Sequence, residues 1–495
     1  MKYILETDNQ KSYIKLAENV NENETISMVL IQHEFGLFKT NETDFIQLIQ
    51  TINKPIIVVF HTVLPNPNEA LQTMIQRIND NVNSFIVMTN NSSKILQEEY
   101  QIDANKISVI PHGTHLVEHS NKDVLKEKYN VAGRKVISTF GLLSSGKCIE
   151  TSINALRTIV KKHPEVLFLV IGETHPNVVK IEGEKYRKDL EDRITALQLN
   201  NNVQFINQYL PLSELLEYLQ LTDIYLFTSK DRNQAVSGTF SYAISCGCPI
   251  ISTPIPHALE VLNGGTGIII DFENAQQLAQ QVNILLDDEE LRKTISSNGI
   301  HKLAPTAWEN SAIAHAILFE EIGNETVELH YKIPPINLNH FKNLTTDFAM
   351  IQFSIINQPD INSGYTLDDN SRALVAICQH YELKKDKDDL DYIYKYFDFI
   401  KYCLQPESYF LNYVDVHKKF TKQNSENLAD SNGRAIWALG YLISISDILP
   451  VELIEKAKKT MQLALVNVCK IHSPRAMAFI IKGIYYSNLK FPSED

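Results

Sequence analysis

Four short runs of apolar, largely β-branched residues open the chain: "ISMVLIQH", "KPIIVVFHT", "SFIVMTN" and "KISVIPHG". Each ends in polar or turn residues. Between them lie "NETDFIQLIQTIN", "NPNEALQTMIQRINDNV" and "NSSKILQEEYQ", whose apolar residues recur three and four apart. Continuous short apolar runs are what strands buried on both faces look like, and the intervening period is that of an amphipathic helix. The order is therefore βαβα, and the connection it permits is an open parallel sheet.

A second stretch repeats the scheme. Its strands are "KVISTFG", "LFLVIG", "VQFIN", "IYLFTS", "PIISTP" and "GIIID", with helical segments such as "IETSINALRTIVKKH" and "AQQLAQQVNILLDD" between them. The helix "APTAWENSAIAHAILFEEI" and the proline-bearing "YKIPPINLN" follow. Beyond that point strand runs give way to long amphipathic helices. There "LDDNSRALVAI", "LADSNGRAIWALG" and "IHSPRAMAFIIKG" each set an Arg-Ala pair (Arg372, Arg434, Arg475) just inside a helix that begins with capping residues. Repeated helical hairpins imply a stacked or toroidal α/α array.

The expected fold class is thus α/β, two tandem Rossmann-like doubly wound domains, followed by an all-α hairpin domain. The expected boundaries are 1–133, 134–322, a linker over 323–339, and 340–495. A chain of 495 residues exceeds one core and suits this division.

A net charge of −13 disfavours a broad nucleic-acid or anionic-membrane surface. No apolar run reaches the length of a spanning helix, and "MKYILETDNQ" lacks the pattern of a secretion signal. Six scattered cysteines suit a reducing, cytoplasmic setting, and Cys246 and Cys248 are spaced too tightly for zinc, so no metal is expected.

Chemistry concentrates where strands end. In open parallel sheets, ligands bind at the carboxyl ends of strands. There the first domain places His33, Glu34 and Gly36 in "HEFG", His61 in "VVFHT", and His112 in "VIPHG". The second domain places Gly141 and Lys147 in "FGLLSSGKCIE", and Gly172 and His175 in "VIGETHP", with Arg187 on the following helix. A lysine where a loop turns into a helix is a phosphate partner, the alternative being a solvated surface lysine, and the alternative for each strand-end histidine is a structural role. In "TSKDRNQAVSGTFSYAISCG", a strand is followed by a helix that starts at Ser237-Gly238-Thr239. The amides of those three residues are expected to be free donors, an anion site strengthened by the helix dipole. The alternative is an ordinary capped helix.

These marks in this order resemble the retaining glycosyltransferases of the glycogen-synthase-like GT-B superfamily, often called group 1. The resemblance covers about residues 25–322. It implies a nucleotide-sugar donor in the interdomain cleft, a carbohydrate acceptor, no metal or other cofactor, and leaving-group stabilisation as the main catalytic device. It further implies that Lys147 holds the diphosphate, that His61 lies beside the transferred sugar, and that Gln234 and Tyr242 occupy the places of two glutamates that bracket sugar and ribose. An arginine usual after "FG" is Leu142 here, leaving His175 and Arg187 as candidate replacements. The chain is similar to a subgroup reading "HEFG" and "QxxSGTxxYA". An opening strand and glycine loop usual in the superfamily are not evident ahead of "VLIQHEFG".

The helical region resembles part of a six-hairpin (α/α) toroid. Asp368 and Asp369, with Asn412, Asp430 and Asp415, form a candidate sugar-handling mouth there. The alternative is an N-cap with an Asp–Arg pair.

The expected activity is transfer of a hexosyl group, mannose or glucose by resemblance. The competing readings are a sugar phosphorylase using inorganic phosphate, raised by Tyr242, and a carbohydrate-binding scaffold with an impaired cleft. Oligomeric state is open.

Overall fold

The computed structural model describes residues 3–38, 41–324, 326–330 and 333–492. It divides into two compact units, Met1–Lys332 and Ile333–Asp495.

The first unit contains two parallel sheets. In the first, β1 (Val29–His33), β2 (Ile56–Phe60), β3 (Ser84–Val87) and β4 (Ile107–Val109) lie side by side in sequence order. Alternation along β2 decides which neighbours each side chain meets. Ile56, Val58 and Phe60 pack with Phe45, Ile49 and Ile75 of the crossover helices Glu42–Thr51 and Glu69–Asn79. Ile57 and Val59 point the other way and meet Leu318, Ala314 and Phe319 of the helix Trp308–Gly323. The chain thus returns from the second sheet to cover the open face of the first. Among the described residues no strand precedes β1; the helix Gln10–Glu22 does, burying Tyr13 and Ala17.

The second sheet is built from β5 (Lys135–Phe140), β6 (Val166–Ile171), β7 (Val203–Ile206), β8 (Ile224–Phe227), β9 (Ile250–Ser252) and β10 (Ile268–Ile269). Its order is β10-β9-β8-β5-β6-β7. The winding reverses between β5 and β8, which opens a crevice at their carboxyl ends. The expected domain boundary at 133 moves to about Thr114. The reason is packing: the helix Lys122–Lys128 and Val131 already belong to the second domain, where Leu125 and Val131 join Val136, Leu167 and Leu169. Lys126 also pairs with buried Asp223 at 2.7 Å.

Two chain crossings join the lobes, and they run together. Thr114 donates its N–H to Thr306 at 2.9 Å, and Trp308 donates to Thr114 at 3.0 Å. A Cβ on Gly113 would collide with the Trp308 indole, so glycine is what lets the crossings touch.

The second unit is a helical array around one core. Its long helices are Leu367–Lys384, Asp389–Cys403, Ala429–Ser444, Val451–Leu465 and Pro474–Asn488. The three Arg-Ala helices neighbour each other in order, Leu367–Lys384 beside Ala429–Ser444 beside Pro474–Asn488. The last two meet backbone to backbone. A Cβ on Gly433 would come 2.6 Å from the Ala476 carbonyl oxygen, and one on Gly440 would overlap Gly483.

Candidate functional site

The helix Gly238–Ser245 is specified locally. Ser237 caps it, accepting from the Phe240 N–H at 3.4 Å, and Gly247 ends it at φ +76. The Gly247 and Cys248 amides then return to Ile244 and Ala243, at 2.8 and 3.0 Å, the closure expected for a glycine after a helix. Of the three amides expected to be free, the Ser237 N–H is occupied. It donates to His257 Nδ1 at 3.2 Å. The Gly238 and Thr239 N–H groups have no acceptor among the described residues.

Lys147 is brought to the same place. It ends the single turn Ser145–Lys147 after β5, which is held by Thr228 Oγ1 donating to the Lys147 carbonyl at 3.0 Å. Its side chain arches over Gly141. A Cβ added to Gly141 would lie 2.9 Å from Lys147 Nζ and 3.2 Å from Thr239 Cγ2. Gly141 and Gly172 both sit at φ +125, and their backbones touch where β5 and β6 end. Burial alone holds the Lys147 ammonium below the ordinary lysine range. No carboxylate or carbonyl among the described residues pairs with it. A desolvated cation without a counter-charge, beside two unoccupied amides at a positive helix end, is built to receive an anion.

His112 reaches this helix end from the other lobe. Its Nδ1 lies 2.8 Å from the Gly113 carbonyl, an acceptor that requires Nδ1–H. Nε2 therefore faces Gly238, 3.4 Å from where a Cβ would stand. Burial and the neighbouring His61 and His115 lower its pKa. His257, behind the helix, is buried and pushed down to about 4, first by burial and then by His112. Sequence reasoning missed His257; its signal is a histidine after Pro256, at a helix start following β9.

Gln234 sits at the rim. Ser229 Oγ donates to its Oε1 at 2.9 Å, and its amide nitrogen reaches the Val236 carbonyl at 3.4 Å. Tyr242 is turned to the hinge. Its ring stacks on His115 with centroids 5.0 Å apart, and its hydroxyl lies 3.2 Å from His115 Nε2. In the first lobe, His61 Nε2 meets Gln32 Oε1 at 2.6 Å, and Thr62 donates to Glu34 at 3.2 Å, both at strand ends. Gly36 lies in the short turn Phe35–Phe38.

Other expected site residues are placed elsewhere. His33 is 2% exposed and enclosed by Phe35, Phe38, Phe45 and Phe60, so it is a core residue. His175 caps the helix Pro176–Glu182, its Nδ1 accepting from Asn177. Arg187 is buried, donating to the Gly172 carbonyl at 3.0 Å and to Glu184 at 3.3 Å. It braces the end of β6 where Gly172 meets Gly141, and its Nη1 is buried with no partner among the described residues. Cys246 and Cys248 are buried thiols with raised pKa values, Cys248 to about 12, again from burial first.

In the helical unit the carboxylates are tied up. Arg434 donates to both Asp368 oxygens at 2.5 Å, and Arg372 to Asp368 at 3.1 Å. Arg372 also pairs with Asp369, which takes the Thr366 hydroxyl at 2.5 Å. Asn412 accepts the Asp368 N–H at 3.0 Å, and Arg475 meets Asp430 at 2.9 Å. Asp368 and Asp430 each reach the arginine of the next Arg-Ala helix, while Asp369 pairs with Arg372 of its own. The expected acidic mouth is an ion-pair network.

Residues 121–302 match the family model described as "Glycosyl transferases group 1". D-inositol 3-phosphate glycosyltransferase of Corynebacterium glutamicum (strain R) is 24% identical over 53% of this chain and 63% of its own length. A GDP-mannose-dependent phosphatidylinositol monomannoside mannosyltransferase of C. glutamicum is 23% identical over 35% of this chain and 44% of its own. The chain spans less than two thirds of the length of these curated relatives. Anabaena HepE, solved in complex with UDP, superposes with a TM-score of 0.53 at 19% identity, covering 64% of this chain and 82% of that one. Sucrose-phosphate synthase from Thermosynechococcus elongatus gives a TM-score of 0.53 at 20% identity, over 64% and 80%. The first unit has the α/β GT-B fold these structures share.

Proposed function

We propose that the chain is a retaining hexosyltransferase that takes a nucleotide-sugar donor and a carbohydrate acceptor. The observation that carries this is the uncompensated Lys147 ammonium beside the free Gly238 and Thr239 amides. A diphosphate supplies the missing negative charge at that spot. The relatives named for glycosyl and mannosyl transfer, and the UDP held by HepE, are in keeping with such a donor.

In this reading the bond from the sugar's anomeric carbon to the diphosphate breaks as the acceptor hydroxyl bonds to the same face. The acceptor proton passes to a leaving phosphate oxygen. Lys147 and the two amides hold the charge that develops there, preorganised in a partly buried site. Gln234 offers its amide to sugar hydroxyls. His61, at the end of β2, stands on the acceptor side. Tyr242, bonded to His115, relates the donor helix to the hinge.

Calorimetry with UDP, GDP, ADP and phosphate tests the proposal, followed by a donor screen. One nucleotide diphosphate is expected to bind, and Lys147→Ala to weaken it about tenfold or more. Phosphate-dependent glycoside cleavage without nucleotide binding would overturn transfer in favour of phosphorolysis. Silence in every assay would overturn both.

A further inference from the structure

We infer that the helical unit carries a glycan-binding cavity of its own, bordering the acidic network, where Ser473 of its lining donates to Asp430 at 3.4 Å. A cavity of about 850 Å³ opens between the loop before Asn412, the start of the helix Ala429–Ser444 and the segment ahead of Pro474. This is within the range of sites for small ligands. Its lining has three parts.

The floor is apolar, with Ile436 buried at 1%. The rim carries an aromatic ring, Tyr409, which is 44% exposed. The turn beneath that ring is closed by the Gln405 N–H donating to the Tyr409 carbonyl at 2.8 Å, and it is pinned from across the cavity by Asn467 Nδ2 donating to the Glu407 carbonyl at 2.7 Å. The ring is therefore presented on a fixed turn. Around it stand polar groups that make no hydrogen bond among the described residues: the Tyr409 and Ser408 hydroxyls, the Asn427 Nδ2 and the His472 ring.

This lining selects a ligand class. Glu407 and Lys470 contribute one charge of each sign, so the cavity favours a neutral molecule. An aromatic face with unpaired amide and hydroxyl groups suits a ligand with apolar C–H faces and many hydroxyls, which is a pyranose chain. A peptide bound by strand addition would need a strand edge to pair with, and the lining residues lie in helices and loops. The inference goes beyond sugar transfer and stands independently of it, since none of these residues belongs to the first unit.

The test is titration of the full chain with maltotetraose, mannotetraose and chitotetraose. At least one is expected to bind. Tyr409→Ala should weaken it about tenfold, and Asn427→Ala should weaken it as well. Both positions lie outside the core, and circular dichroism checks that the variants fold. Lys147→Ala should leave glycan binding unchanged while it weakens nucleotide binding about tenfold or more, so failure of either reading is seen separately. The inference is overturned if no glycan binds, if binding survives both cavity variants, or if tetraglycine binds in place of the glycans.

Discussion

At the scale of single residues, the same physics acts on a lysine and two histidines. Burial disfavours the charged form of each. His33 and His257 are both pushed down to about 4, against an ordinary value near 6.5. The unfolded chain therefore binds protons that the folded chain refuses. Stability is full above about pH 6.5 and falls as pH drops towards 4, by up to about 3 kcal/mol per histidine. Urea melts at pH 7.0, 5.5 and 4.5 should show this loss, and His33→Leu should flatten the slope by one histidine's share. A steep slope unchanged in that variant would assign the loss elsewhere. What was legible at this scale was chemistry tied to a local motif. Lys147 and the Ser-Gly-Thr helix start could be read because turn and helix signals fix where such residues sit. The strand-end histidines could not be sorted. Side chains alternate across a strand, and whether the last one faces ligand or core depends on its neighbours. For His33 those are four phenylalanines distant or near in sequence.

Among elements, the repeat of Arg-Ala helices was legible, but its mechanical basis was not. Gly433 and Gly440 stand seven apart on one helix, and Ala476 and Gly483 seven apart on its neighbour. Read singly, glycines inside helices look like weak points. Paired across an interface, they let two backbones close to contact. Gly483→Ala would press a Cβ against the Ile436 carbonyl, 2.8 Å from the Trp437 nitrogen. Overpacking of this kind costs about 1–3 kcal/mol. The expected outcome is earlier unfolding of the helical unit, followed by Trp437 fluorescence in a Trp308→Phe background, with nucleotide affinity unchanged. Coupled loss of nucleotide binding would show that the units do not melt separately. The Asp–Arg network had been visible as a spacing of charges. Which arginine each aspartate chooses is a tertiary matter: Asp368 is 66 residues from Arg434.

For the molecule as a whole, alternating strand and helix signals were enough to read two parallel α/β lobes and a helical region. The boundary between lobes was misplaced because the helix Lys122–Lys128 looks the same whichever sheet it covers. The structure also separates chain order from lobe membership. The second lobe lies between Thr114 and Thr306, two residues that touch, so it is an insertion within the first. The first sheet's second face stays bare until the helix Trp308–Gly323 arrives. A fragment ending near residue 116 should therefore bind a hydrophobic dye and aggregate, and adding a peptide of residues 304–323 should suppress both. A well-behaved fragment without that peptide would contradict the argument. During synthesis, the lobe begun first is finished last: the nascent chain must hold a half-covered sheet in solution while the inserted lobe is made, and the emerging return helix is the step that seals it.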